Sequence, residues 1–383
     1  MRVEPPVPEA ALAAIRAPLE AAGATRADAP LLQPLNLFLD LAGEAMRARL
    51  FVVQAEGGAE ACLRPDFTVA IARAHLESGR RDGRYLYEGA AFRASAGAER
   101  PEEFLQVGLE LFAPQSQGGD GAAEAADAEI AGLAWRACAA GGRADLSLRL
   151  GDVGLFGPFI ESLSLAEGLA ARLKRVAGRP RLLQAELART GETAGGARGT
   201  LASILSGLSQ AEAGALLEEV WALAGVEPVG GRGPAEIAAR LVRKAEAAAA
   251  PALTDDQAGA IRAFMAIDDS PDAALARVGE LAGRNDRALN AALEGWARRL
   301  AELARVADPH RMRFAPALGH AFDYYDGLTF EVVSEALGPE RPVAVGGRYD
   351  GLLARLGAGL GGGEGRAVGC MVRPWRAWDG GEQ

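Results

Sequence analysis

The chain has 383 residues, 49% hydrophobic and 24% charged, with a formal net charge of −10. Those proportions exclude disordered and fibrous classes and allow about two to three domains around a large core. The acidic balance disfavours a protein that lives on phosphate backbones, whose binding depends on Lys and Arg, and a local basic cleft stays open.

Residues 8–22 read as an amphipathic helix with Leu12, Ile15 and Leu19 on one face. A Pro-punctuated stretch, APLLQPLNLFLDLAGE, follows in extended or turn form. Phe51-Val52-Val53 is a short strand, and Leu63-Arg64-Pro65-Asp66 leads into a helix from Thr68 to Leu76. Residues 84–92 and 104–112 are strands. In the second, Leu105, Val107, Leu109 and Leu111 alternate with Gln106, Gly108 and Glu110, so one face is apolar and the other carries two polar groups around a glycine. A mid-strand glycine weakens a strand unless something approaches the backbone closely.

A helix over 124–139 and a strand carrying Leu146, Leu148 and Leu150 come next. From about 165 to 285 the chain is Ala-rich and helical, with Leu201, Ile204, Leu205 and Leu208 as one stripe. Thr254-Asp255-Asp256-Gln257 is a capping-box start and Ser270-Pro271 another helix start. A helix through Leu289, Trp296 and Leu303 returns the chain to strands near 313–318, 328–333 and 342–346, a Gly-rich loop over 357–365 and a final strand from Ala367 to Val372. The expected organisation is α+β, with a first core part over 1–164, a helical insertion over 165–285 and a second core part over 286–383.

No apolar run approaches the ~18 residues of a membrane span, and MRVEPPVPEA lacks a secretory leader pattern. Cys62, Cys138 and Cys370 stand far apart without CxxC spacing, which argues against a disulfide framework or a zinc site and for a reducing cytoplasm. The histidines at 75, 310 and 320 are scattered, so no metal site is expected. All five tyrosines fall in the sheet-like segments.

Four segments carry candidate chemistry. Leu63-Arg64-Pro65-Asp66-Phe67-Thr68 places an acid at a helix start, which is either a cap or a ligand contact. Tyr87 to Arg93, followed by Phe104 to Glu110, sets an arginine beside Gln106 and Glu110. A guanidinium can grip a carboxylate bidentately while Glu110 holds an ammonium or an imidazole. The plain alternative is a solvent-exposed sheet face with an ordinary ion pair. The run from Phe322 to Glu331 carries paired tyrosines before a glycine, the pattern of core plus hairpin. Gly346-Gly347-Arg348-Tyr349-Asp350-Gly351 permits close approach of a ligand or a neighbouring strand, and matches neither GxGxxG nor GxxxxGK[ST].

In order, these segments resemble the catalytic core of class II histidyl-tRNA synthetases. LRPDFT looks like that family's LRPEGT, and YEGAAFR with EFLQVGLELF resembles its motif 2. FDYYDGLTFE resembles its second histidine motif, and VGGRYDGLLARLG with AVG the run into motif 3. The likeness covers about 1–165 and 290–372. It implies an antiparallel sheet flanked by helices, a homodimer core built on the segment around APLLQPLNLFLDLAGE, and a histidine pocket formed by Asp66, Thr68, Arg93, Gln106, Glu110, His320, Tyr324 and Tyr325.

The departures from the synthetase pattern bear on activity. Only Cys370 to Gln383 follow AVG, where the family carries an anticodon-binding domain. His320 stands where the family has a catalytic arginine. The loop over 94–103 sets Arg100 against Glu99, Glu102 and Glu103, and a net-negative loop repels a triphosphate. Val372-Arg373-Pro374-Trp375-Arg376 puts bulk where adenine slides in, although Arg376 aligns with that motif's arginine.

The chain therefore also resembles the regulatory-subunit family of ATP phosphoribosyltransferase, synthetase paralogues without the anticodon domain. That likeness implies a short-form catalytic subunit as partner and histidine as effector, with no catalytic residue, cofactor, nucleic acid or membrane involved. A stripped histidine-activating enzyme and a scaffold with a vestigial pocket stand as alternatives.

Overall fold

The computed structural model describes residues 2–42, 44–54, 57–95, 100–115, 121–165, 167–177, 180–188, 212, 215, 253–282, 286–319, 324–358 and 364–382. The chain divides into two compact units, one of residues 1–159 with 264–383 and one of residues 160–263. The divisions fall inside helices α5 (Phe156–Ser162) and α8 (Asp255–Met265). His320, the 201–208 stripe and most of the 357–365 loop lie outside the described residues.

The first unit is built on an eight-stranded sheet in the order β1-β5-β6-β11-β10-β9-β7-β8. These strands are β1 (Thr25–Arg26), β5 (Gly83–Phe92), β6 (Glu103–Ala113), β7 (Leu146–Asp152), β8 (Met312–Phe314), β9 (Leu328–Ser334), β10 (Ala344–Arg348) and β11 (Arg366–Val372). All central pairings are antiparallel; the edge pairs β1/β5 and β7/β8 are parallel. A smaller sheet joins β2 (Leu32–Pro34), β3 (Val52–Gln54) and β4 (Glu60–Leu63).

Helix α1 (Glu9–Glu20) buries Leu12, Ile15 and Leu19, the stripe its spacing gives. Helix α4 (Ala122–Ala140) packs an Ala-rich face against α1 and the sheet, where small side chains allow close approach. Strand β8 is shorter than the predicted 313–318 because Pro316 has no N–H to extend the ladder. Its Phe314 bridges Asp269, which seats α9 (Pro271–Leu281) with the sheet unit.

In the second unit, α6 (Glu167–Val176) and α7 (Pro180–Leu187) bury Leu169, Leu173, Leu183 and Leu187. The capping box forms as written: Gln257 N–H donates to Thr254 Oγ1 at 3.2 Å, and Thr254 N–H to Gln257 Oε1 at 3.1 Å. No described helix is long and apolar enough to cross a membrane.

Candidate functional site

Strand β6 supplies the floor of the site. Its Gln106 and Glu110 lie on one face, as the alternation requires, but that face is buried: Gln106 is 0% exposed and Glu110 1%. The solvent-exposed ion-pair reading is thereby excluded. Leu105 and Leu111, on the opposite face, are only half-buried. Gly108 exists for the sheet itself, since a Cβ there would stand 2.3 Å from the Tyr87 ring and from the Cys370 carbonyl.

Above this floor is a cavity of about 850 Å³, lined among others by Asp66, Thr68, Arg93, Gln106, Tyr324 and Tyr325. Six of the eight residues expected from the sequence thus share one wall system. Glu110 lies behind Thr68 rather than on the wall. Thr68 Oγ1 donates to Glu110 Oε1 at 2.7 Å, and the Tyr349 hydroxyl donates to Oε2. Burial dominates this carboxyl and pushes it up to about 8, against the pull of the two hydroxyls. At neutral pH Glu110 is largely uncharged.

Asp66 precedes α3 (Thr68–Glu77), whose N-cap is Phe67 with no side-chain cap bond. Neither Asp66 oxygen has a donor at hydrogen-bonding geometry. Burial raises its carboxyl to about 6, opposed by Arg93 and, more weakly, by the Val69 amide and the Tyr324 hydroxyl. Gln106 likewise has no protein partner for its amide nitrogen or oxygen. A buried amide and a buried carboxylate without partners beside a cavity cost free energy unless a ligand or water completes them.

Arg93 is anchored, not free-swinging: its Nε donates to the Pro65 carbonyl at 2.9 Å, and its guanidinium lies 5.4 Å from the Phe104 ring centroid. Tyr324 and Tyr325 lie 4.7 Å apart, centroid to centroid, and Tyr349 meets Tyr324 edge-on at 5.7 Å. Gly347 permits this, since a Cβ there would sit 2.8 Å from the Tyr325 ring and 2.3 Å from the Leu328 carbonyl. The Gly-Gly pair therefore serves neighbouring strands and a pocket ring. Asp326 accepts from the amides of Asp350 and Gly351 at 3.1 and 2.5 Å, tying the tyrosine segment to the start of α11 (Asp350–Gly357).

Arg49, Tyr87, Arg149, Tyr349 and Arg373 also line the cavity, outside the set expected from the sequence to bind histidine. Tyr87 and Tyr349 sat inside singled-out motifs, and their clustering with the other tyrosines was the available signal. The described part of the 94–103 loop places Arg100 on the wall, whereas Glu102 is engaged by Arg2. The expected repulsion by that loop has no Glu102 carboxylate at the cavity to supply it. Among the described residues no group of three or more His, Cys, Asp or Glu side chains is placed to hold a metal ion.

The arrangement offers a carboxylate acceptor, an unpartnered amide, an anchored guanidinium and clustered phenols around one cavity. It suits a small zwitterion with a polar ring.

Comparison with known proteins agrees with this architecture. Residues 8–229 and 235–370 match the family described as histidyl-tRNA synthetase. The chain is 36% identical over 337 residues to a protein of Mesorhizobium japonicum named ATP phosphoribosyltransferase regulatory subunit, covering 86% of each chain. It is 36% identical over 343 residues to the like-named protein of Rhizobium meliloti, covering 87% of each. A solved structure from Bacillus halodurans, titled ATP phosphoribosyltransferase regulatory subunit/histidyl-tRNA synthetase, superposes with a TM-score of 0.64 at 21% identity. It covers 100% of this chain and 83% of that one, and shows the fold.

Proposed function

Because the chain belongs to the histidyl-tRNA synthetase family, among the ATP phosphoribosyltransferase regulatory subunits, we propose that it is inert alone and works by binding a short-form catalytic subunit. Histidine in the cavity is then the feedback signal for the first step of histidine biosynthesis. The observation that carries this reading is the pair Asp66 and Gln106, buried at the cavity wall with side-chain polar atoms that lack a protein partner. Asp66 takes the ligand's ammonium, Arg93 its carboxylate, and Gln106 with the tyrosines the imidazole. His320 belongs to the same expected set.

Regulation of this kind requires only ~1–3 kcal/mol of coupling between the histidine site and the partner's active arrangement. Histidine must bind two arrangements of the complex with different affinity, because equal affinity shifts nothing. A cytoplasmic setting belongs to the same proposal, supported by three free, buried cysteines. So does a homodimer core, supported by exposed Leu32 and Val53 on one face of the small sheet.

Titration of the assembled complex with histidine tests the proposal. Inhibition is expected for the wild type and a loss of at least ten-fold in sensitivity for Asp66→Ala/Arg93→Ala. Unchanged inhibition in that double variant sinks the pocket as the sensor. Arg49 and Arg100 on the cavity wall favour a second reading, a residual histidine-activating enzyme. Histidine-dependent exchange of pyrophosphate into ATP by the isolated chain would support it.

A further inference from the structure

Two buried arginines, Arg373 and Arg376, line the same cavity as Asp66, and each is already engaged by a carboxylate of the same chain. Arg373 stands just after β11 and is 7% exposed. Its Nη2 donates to Glu4 Oε1, and its guanidinium lies 3.8 Å from the Phe104 ring centroid. Arg376, on α12 (Pro374–Ala377), donates from Nε to Glu382 Oε2 at 2.8 Å and from Nη1 to the Pro342 carbonyl at 3.1 Å.

Neither carboxylate is there by chance contact. Glu4 is pinned by its own backbone, whose N–H donates to the Glu103 carbonyl at 2.9 Å, and Glu4 Oε2 accepts from the Leu105 amide at 3.3 Å. Glu382 is held from three sides. Arg341 reaches its other oxygen at 3.2 Å, Arg143 donates to its carbonyl, and its N–H donates to the Trp375 carbonyl at 3.1 Å.

A wall with two adjacent guanidiniums is a site for a polyanion, since paired arginines match phosphate oxygens in charge and in fork geometry. Here each guanidinium already holds an internal carboxylate, while Arg373 Nε is left without a partner. We propose that Glu4 and Glu382 act as internal anions which occupy Arg373 and Arg376 and so restrict the cavity to small ligands, excluding pyrophosphate and nucleotide polyphosphates. An incoming polyphosphate has to displace two anchored carboxylates or be held beside them, and both options weaken it. A zwitterion seated between Asp66 and Arg93 carries one carboxylate, which Arg93 takes, so it displaces neither. Specificity is thereby set by a repulsive element as well as an attractive one.

The inference rests on the reading of the cavity as a ligand site, and the two are separable by experiment. Inorganic pyrophosphate and histidine are titrated separately by calorimetry into the wild type, Glu382→Gln and Glu4→Gln/Glu382→Gln. The expected result is no measurable pyrophosphate binding by the wild type and at least a ten-fold gain in the double variant, with an intermediate gain for Glu382→Gln. Histidine binding by all three supports the ligand site independently; its absence in all three removes that reading without touching the pyrophosphate result. Wild-type pyrophosphate binding as tight as that of the variants overturns the inference, and so does a folded double variant that gains nothing. If Glu4→Gln disrupts the fold, Glu382→Gln alone decides, because it leaves the Arg373–Glu4 pair in place and still exposes Arg376.

Discussion

Thr68 and Glu110 are joined at 2.7 Å beneath the cavity, one from the first turn of a helix and the other from the centre of the sheet. The bond links the helix that carries Asp66 at its entrance to the strand that carries Gln106. It also determines what Glu110 can do. With its carboxyl pushed up to about 8, the group spends neutral pH as a neutral acid, so of these two neighbouring carboxyls it is Asp66 that carries charge.

The first prediction follows from that protonation. The folded chain holds a proton on Glu110 that the unfolded chain releases near its ordinary value of 4.5. Between these limits the unfolded state binds fewer protons, so stability falls as pH rises, by ~1.4 kcal/mol per pH unit, and levels off above about 8. Thermal melts of the wild type from pH 6 to 8 are expected to show this decline. Glu110→Gln, which resembles the neutral acid, is expected to abolish most of it. A pH-independent wild-type melting temperature over that range would refute the assignment.

Asp66 gives the opposite balance between stability and binding. Replacing a buried carboxylate that lacks a donor with Asn removes a desolvation cost, so Asp66→Asn is expected to keep or raise the melting temperature at pH 7. Its histidine affinity is expected to fall at least ten-fold, about 1.4 kcal/mol. In the wild type, affinity is expected to rise as pH climbs through about 6 and Asp66 ionises. Calorimetric titrations at pH 5, 6 and 7 check both statements.

Gly369 opposes Glu110 across β6 and β11, and a Cβ there would lie 1.6 Å from Glu110 Oε2. Glu110 cannot retreat, being held by Thr68 and Tyr349. Gly369→Ala is therefore expected to destabilise the protein by about 1–3 kcal/mol through overpacking. Gly157, in a helix with open space around its Cα, is the control: Gly157→Ala is expected to gain about 0.5–1 kcal/mol. Denaturant midpoints of the two variants should move in opposite directions.

Much of this arrangement was legible locally. The alternation in β6 placed Gln106 and Glu110 on one face, and the stripe of α1 named its buried residues. The capping box at Thr254 was written in four consecutive positions. What escaped was whatever depends on distant chain. Nothing near Glu110 announces that Tyr349, 239 residues on, will bond it and help seal its face from solvent. Nothing near Arg373 announces Glu4, 369 residues earlier. The charges of the 94–103 loop summed to a negative number in sequence. Folding gave Arg100 to the cavity and Glu102 to Arg2, because side-chain direction, not composition, decides which charge a ligand meets.

Asp127 is fully buried on α4 and ties three elements together. Its Oδ1 accepts from Arg348 Nε at 2.9 Å, at the end of β10, and its Oδ2 from Arg299 Nε at 2.7 Å, on α10 (Arg287–Leu303). Removing the shared carboxylate leaves Arg299 without it and Arg348 with only Asp350 and the Ala123 carbonyl, at a cost of about 3–5 kcal/mol. Asp127→Ala is expected to lose that much in urea unfolding. Because Arg348 precedes Tyr349, the variant is also expected to weaken histidine binding. A loss below about 1 kcal/mol would show that solvent or Asp350 replaces Asp127 as the partner of Arg348.

Leu32 on β2 and Val53 on β3 are 51 and 38% exposed and share one face of the small sheet, opposite the face that carries the fully buried Cys62. Side chains of this kind gain about 1.5–3 kcal/mol each on full burial, which is the gain the proposed homodimer interface would draw on here. The proposed occupant is a second copy of the chain. Leu32→Asp/Val53→Asp is expected to convert a dimer to a monomer in sedimentation at micromolar concentration, with the fold preserved by circular dichroism. A wild type that sediments as a monomer would remove this surface as the homodimer core. Persistence of the dimer in the double variant would place the interface elsewhere.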